Sequence, residues 1–194
     1  MLAALFLIIA ATLFRVLPPL LHIHHDWMSN FSPLASLVVC GAVFFTKRMA
    51  ILVPFVILLI SDFVLNYFVY HFTLVSWEII PRYLVFLVIG ALTFRYRHLL
   101  RVKRFALLGT TFASSLLFFI ATNSASWMGD ARYVKNAAGW LQALTIGLPG
   151  YPPTILFFRN SIISDLLFTA LFMVCMSLTA KREIAVTTKT VVAY

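Results

Sequence analysis

Cysteine is nearly absent from this chain: Cys40 and Cys175 are the only two in 194 residues. Both sit inside apolar runs. That excludes a disulfide framework and a C-x-x-C metal pair, and leaves both as small buried residues. Acid is almost as scarce, with six Asp and Glu against fifteen Lys and Arg. Glycine never gathers into a phosphate-cradling loop, and there is no Walker sequence. No histidine stands beside a serine in a hydrolase arrangement. The residues therefore do not point to an enzyme, and they call for no cofactor.

Apolar side chains are what the chain has in excess. They make up 62% of the residues, and only 11% are charged. Mean hydropathy is +0.99. A soluble domain of this length cannot bury that much apolar surface, so the composition points to an all-α polytopic membrane protein. The net charge of +9 does not argue for nucleic acid. The cations flank apolar spans, which suits an anionic inner leaflet.

Crossing about 30 Å of hydrocarbon takes roughly 20 helical residues, fewer where the bilayer thins. Six transmembrane helices are expected, at about 2–16, 33–45, 49–68, 77–94, 105–122 and 161–180. Together they form a single domain over 1–182, with a short cytoplasmic tail at 183–194. The first stretch lacks a basic leader and a small-x-small cleavage site, so it reads as a retained helix. Residues 137–158 are apolar but broken by Gly147, Pro149, Gly150, Pro152 and Pro153. They read as a short helix and a non-helical dip, interfacial or re-entrant.

The charges orient this layout. Lys47, Arg48, Arg95, Arg97, Arg101, Lys103, Arg104, Lys181, Arg182 and Lys189 fall on one side. Arg15, Arg82, Arg132, Lys135 and Arg159 fall on the other. The positive-inside bias then makes both termini cytoplasmic. Every acid except Glu183 shares the outer face with the minority cations.

Asp62 is the strongest polar signal, because an acid inside a span costs a few kcal/mol (about 2.5–3.5) unless paired or facing water. Arg15 and Arg82 are its candidate partners, and a helix-locking ion pair competes with a substrate role. Asp165, with Arg159 and Asn160 just before it, repeats the pattern. Glu78 and Arg82 are spaced for a helical pair. The loop after the fifth span carries Asn123, Trp127, Tyr133 and Lys135, the usual lining of a small-molecule site, although Trp and Tyr also form interfacial belts. His22, His24 and His25 with Asp26 are weak metal candidates, since adjacent imidazoles point apart.

Several segments carry a family resemblance. They are Arg15-Val-Leu-Pro18, Asn30-Phe-Ser-Pro-Leu-Ala35 before Gly41-Ala42, Pro54 with Ser61-Asp62, Asn123 with Trp127, Tyr133 with Lys135 and Gly139, and Phe157-Phe-Arg-Asn160 with Ser164-Asp-Leu-Leu-Phe168. Together they resemble, nearly end to end, a bacterial multipass family known only by a domain-of-unknown-function label. That family in turn resembles the substrate-binding S-components of energy-coupling-factor vitamin transporters. The resemblance implies six helices, an outer ligand pocket closed by loops, and an energising membrane partner with an ATPase module on the cytoplasmic side. The chain departs from S-components in its first helix, where alanines recur every seven residues rather than every four. It also has no outer-loop cysteine to ligate a cobalamin.

These observations set the expectations. The protein is a bacterial inner-membrane, multi-pass, S-component-like bundle that binds a small solute of the vitamin or micronutrient class. Arg15, Asp62, Arg82, Asn123, Trp127, Tyr133, Lys135, Arg159, Asn160 and Asp165 line or buttress its site. Its partners are the lipid bilayer, the solute and an energising module, with no nucleic acid. The alternatives are a membrane-embedded metal-dependent enzyme using the three histidines with Asp62, and a scaffold subunit of a larger membrane complex.

Overall fold

The computed structural model describes residues 2–23, 30–71 and 79–192. Helices are α1 (Leu2–Leu20), α2 (Leu34–Phe44), α3 (Lys47–Leu65), α4 (Ile79–Arg95), α5 (Arg97–Val102), α6 (Arg104–Gly129), α7 (Ala137–Leu144) and α8 (Thr154–Val192). A π-helical turn, Asn66–Tyr70, extends α3. No strand occurs among the described residues.

Three segments are long and apolar enough to cross a membrane: Lys47–Val69, Arg104–Gly129 and Thr154–Thr179. Their apolar faces are laid open, with Leu59, Phe63, Phe112, Leu167 and Val174 all at least 47% exposed. Side chains that would be unfavourable in water suit hydrocarbon, so the chain is read as a membrane protein. The six spans expected from sequence are not all matched in length. Helix α2 has 11 residues and α4 has 17, roughly 16 and 25 Å at the helical rise. The sixth expected span begins earlier, at Thr154, and its helix continues through the supposed tail to Val192.

Helix α2 is the centre of the bundle. Every residue from Leu34 to Val43 is buried, and α1, α3, α4, α5, α6 and α8 all pack against it. Its sequence is apolar on every side, as a surrounded helix requires. Small residues let its neighbours approach. A Cβ on Gly41 would meet the Pro54 ring of α3 at 3.4 Å, and one on Gly90 of α4 would meet Val38 at 3.5 Å. Close helix contact in a bilayer depends on such small residues.

The first turn of α2 is buried inside protein and its last turn is partly buried, and the unpaired backbone groups at both ends need partners. Pro33 precedes the helix and has no side chain able to cap it. Asp165 of α8 fills that role: its Oδ1 accepts the Ser36 N–H at 2.9 Å, and the Ala35 amide also serves this carboxylate. At the other end, Arg97 donates to the carbonyls of Val43 (3.2 Å) and Phe45 (2.8 Å). Arg101 Nε donates to Val43 at 2.8 Å. An acid at the N-terminus and two guanidiniums at the C-terminus both favour the helix dipole.

Hydroxyls surround the Asp165 carboxylate. Ser115 donates to its Oδ2 at 2.7 Å. Thr169 donates to Ser36 at 3.1 Å and meets Thr111 at 3.0 Å. None of these five residues is more than 2% exposed.

This network predicts the effect of two substitutions. Asp165→Ala strands the amide at the start of α2 and should lower stability by roughly 1–3 kcal/mol per orphaned donor. Asp165→Asn keeps an acceptor for Ser36, and its amide can donate to Ser115, whose hydroxyl also reaches the Thr111 carbonyl at 3.0 Å. Thermal unfolding in detergent should show Asn retaining more than half of what Ala loses.

Candidate functional site

Three helices place charge at one point. Arg15 lies near the end of α1, Asp62 in the last turn of α3 and Arg82 in the first turn of α4. Arg15 bonds Asp62 Oδ1 directly, and Arg82 Nη1 reaches the same oxygen at 3.0 Å. Arg15 also contacts the Ser32 hydroxyl at 3.3 Å, just before α2 begins. The side chains of Asp62 and Arg15 are 7% and 10% exposed, and that of Arg82 is 32% exposed. Asp62 Oδ2 is buried and takes neither guanidinium, and the nearby Tyr83 hydroxyl makes a weak side-chain hydrogen bond to the same carboxylate.

The backbone around this point is irregular. The π turn starts four residues after Asp62, and the Asn66 N–H bonds the carbonyls of both Asp62 and Phe63. Single π turns recur at functional sites. In α1, Pro18 and Pro19 donate no amide to the helical ladder, although the helix runs on through them to Leu20. Near this cluster, a crevice lined by Leu34, Val38, Pro54, Phe55, Leu58 and Phe86 is apolar and too tight for water.

The other predicted site residues lie in separate places. Asn123 is within α6, where its side-chain amide donates to the Phe119 carbonyl at 2.8 Å. Trp127, Tyr133 and Lys135 build the turn between α6 and α7. Trp127 Nε1 donates to the Val134 carbonyl at 2.9 Å. The Lys135 ammonium bonds the carbonyls of Trp127 and Asp130, capping the end of α6. Asn136 caps α7 by accepting the Gly139 N–H at 2.8 Å. Trp140 Nε1 bonds Ser124 at 2.8 Å. Arg159 Nε bonds its neighbour Asn160 at 3.2 Å, and Asn160 is 2% exposed. Asp165 is in the core beneath α2, not at a surface.

His22 is exposed and adopts a positive φ of 54°. His24, His25, Asp26 and Glu78 lie outside the described residues. Among the described residues no three His, Cys, Asp or Glu side chains gather as metal ligands.

Ser32, Ser36, Thr111, Ser115 and Thr169 join these networks without having been singled out in the sequence, and Arg97 and Arg101, expected only as inner-face cations, bond the end of α2. One signal was available. Ser36 and Cys40, Thr111 and Ser115, and Asp165 and Thr169 are each spaced four apart in otherwise apolar runs. That spacing puts each pair on one helix face, and the three faces meet.

Fold and cluster together define a class: a helical membrane protein whose polar groups converge at buried helix ends. Residues 1–187 match the family described as "Family of unknown function (DUF6580)", and the chain belongs to that family. No curated protein and no solved structure matches it.

The turn after α6 generates two expectations. A Cβ on Gly139 would lie 2.0 Å from the Val134 carbonyl oxygen, a backbone atom. Gly139→Ala should therefore break the turn, lowering stability by about 1–3 kcal/mol and freeing the Trp127 indole, which near-ultraviolet dichroism reads. The second concerns pH. Arg132 forks onto Asp130, with Nη2 to Oδ2 at 2.7 Å, and holds that carboxyl down at about 2. A depressed folded-state value means that the contribution is complete above an ordinary aspartate pKa of about 3.9. It is lost as pH falls through about 2. Amide exchange at 130–136 should quicken in that acid window, and Asp130→Asn should abolish the pH dependence.

Proposed function

We propose that this protein is a multi-pass subunit of a bacterial inner membrane, with both termini cytoplasmic, that captures a small solute at its outer face. In this reading the six hydrophobic helices form an S-component-like bundle. The shorter α1, α2 and α4 are accommodated by local thinning of the bilayer. Arg15, Asp62 and Arg82 form the polar heart of the site. The α6–α7 turn, with Trp127, Tyr133 and Lys135, is a preformed wall. The solute belongs to the vitamin or micronutrient class, and the basic end around α5 receives an energising partner and its ATPase module.

One observation carries the solute reading. Asp62 is held inside a span at the junction of three helices and is faced by two arginines, one of them a third exposed. Ionisable residues inside membrane spans are costly and mark solute and ion paths. The scaffold alternative has its own support, since two arginines on one carboxylate also clamp α1, α3 and α4 together.

Native mass spectrometry from detergent separates the two. Solute capture predicts a retained small molecule, lost at least tenfold in Asp62→Asn and Arg82→Gln, as expected when a charge-assisted bond worth about 1.5–3 kcal/mol is removed. A scaffold predicts stoichiometric co-purification of another subunit and no retained molecule. Unchanged retention in both variants would remove the cluster from the site.

A further inference from the structure

We propose that the end of the bundle around α5 holds an anionic phospholipid, with its phosphate among cations of α3, α5 and α6 and its acyl chains along an apolar stripe of α5. This lies beyond the solute reading and does not depend on it.

Helix α5 is divided lengthwise. Arg97, Leu100 and Arg101 turn toward α2: Leu100 is buried, and both guanidiniums bond the Val43 carbonyl. Tyr96, Leu99 and Val102, spaced three apart, share the other face. They are 58%, 49% and 81% exposed, and Phe105 continues the stripe into the first turn of α6 at 90%. That helix is long enough to cross a membrane and starts at Arg104. The stripe therefore lies where a span leaves the bilayer, at the boundary of headgroups and acyl chains. Phe112, two turns beyond Phe105 and so on the same face of α6, is also exposed.

Cations crowd this end without acids. Lys47 and Arg48 open α3, Arg95 closes α4, and Lys103 and Arg104 lie at the start of α6. All five are exposed. Arg97 bonds the Phe45 carbonyl, two residues before Lys47, so α5 and the start of α3 are neighbours. Among the described residues the ion pairs all lie elsewhere. Arg101 bonds Val43 through Nε alone, which leaves the Nη donors of its fork for another acceptor. Burial, and then the nearby Arg101 charge, push the Arg97 guanidinium below its ordinary value. Lys103 and Arg104 do not serve α6, because a helix dipole favours acids at its start. Unopposed positive charge with an open guanidinium fork matches a phosphate.

The apolar stripe selects the source of that phosphate. A free anion would leave Leu99, Val102 and Phe105 uncovered, whereas acyl chains cover them. Lysine and arginine stems lie along such apolar surface while their heads reach the headgroups. Basic pockets at the ends of spans hold anionic headgroups in this way. A zwitterionic headgroup brings no net charge to offset the excess. A second protein is the competing occupant, and the continuity of the stripe with the open face of α6 favours lipid.

The test uses the purified full chain in detergent, by native mass spectrometry at graded ligand concentration. The probes are dioleoyl phosphatidylglycerol, dioleoyl phosphatidylethanolamine and glycerol 3-phosphate, which has the phosphate without the chains. With about fivefold in affinity per surface cation, phosphatidylglycerol should bind at least about fivefold more tightly than phosphatidylethanolamine. Glycerol 3-phosphate should not bind. Lys103→Gln with Arg104→Gln should weaken phosphatidylglycerol by about fivefold or more and bring the two lipids within about twofold of each other. Val102→Ser with Phe105→Ser should weaken both lipids alike and keep their ratio. Wild-type protein supplies a second measurement should the charge variant misfold. Raising salt from about 0.1 to about 1 M shortens the screening length from roughly 10 to 3 Å, and should erase most of the advantage of phosphatidylglycerol in melting temperature.

Equal binding of the two phospholipids would overturn the inference. So would glycerol 3-phosphate binding as tightly as phosphatidylglycerol, which would make this a site for a free anion. A co-purified subunit that shields Lys103 from amine labelling in native membranes gives the face to a protein and overturns it too. The solute reading fails separately: a phospholipid retained in both wild type and Asp62→Asn, with no smaller molecule, sinks solute capture and leaves this inference standing.

Discussion

A carboxylate that caps another helix holds this bundle together. The amides at the start of α2 cannot reach water and have no side chain of their own to bond. Asp165 answers them from 129 residues away in sequence. Without it, a helix surrounded by six others would begin with bare donors in a medium that does not forgive them. Arg97 and Arg101 do the matching work on its last carbonyls. Helix α2 is thus fixed at both ends by charged side chains from α8 and α5, and the other helices pack around it.

The two intramembrane acids are compensated in opposite ways. Asp165 is surrounded by dipoles, namely backbone amides and the Ser115 hydroxyl, all of them in place and all saturated. Asp62 is faced by whole charges, both of them on one of its oxygens. The first acid joins α8 to the start of α2, and the second ties α1, α3 and α4 at one point.

Much of this was legible beforehand. Helix positions followed from apolar run length, and Asp62 with Arg15 and Arg82 followed from the high cost of a lone intramembrane charge. The role of Asp165 was hidden, because a cap normally comes from the residue beside the helix, and here Pro33 occupies that place. Arg97 and Arg101 were hidden for a related reason. In sequence they look like ordinary members of a basic loop, and only the position of Val43 and Phe45 shows their use. Trp127, Tyr133 and Lys135 had the right chemistry for a pocket wall. The side-chain donors of Trp127 and Lys135 turn out to be committed to Val134, Trp127 and Asp130 within the turn itself, which composition alone does not reveal.

The two-residue link between α2 and α3, Phe45 and Thr46, bears on how the chain is made. Eleven residues are too few to span a bilayer alone, and the short link pairs α2 with the 19-residue α3 as it is made. At that moment neither end of α2 has its partner. The arginines emerge more than fifty residues later, and Asp165 later still. In the order of synthesis, therefore, the innermost helix is made well before the side chains that bond its two ends.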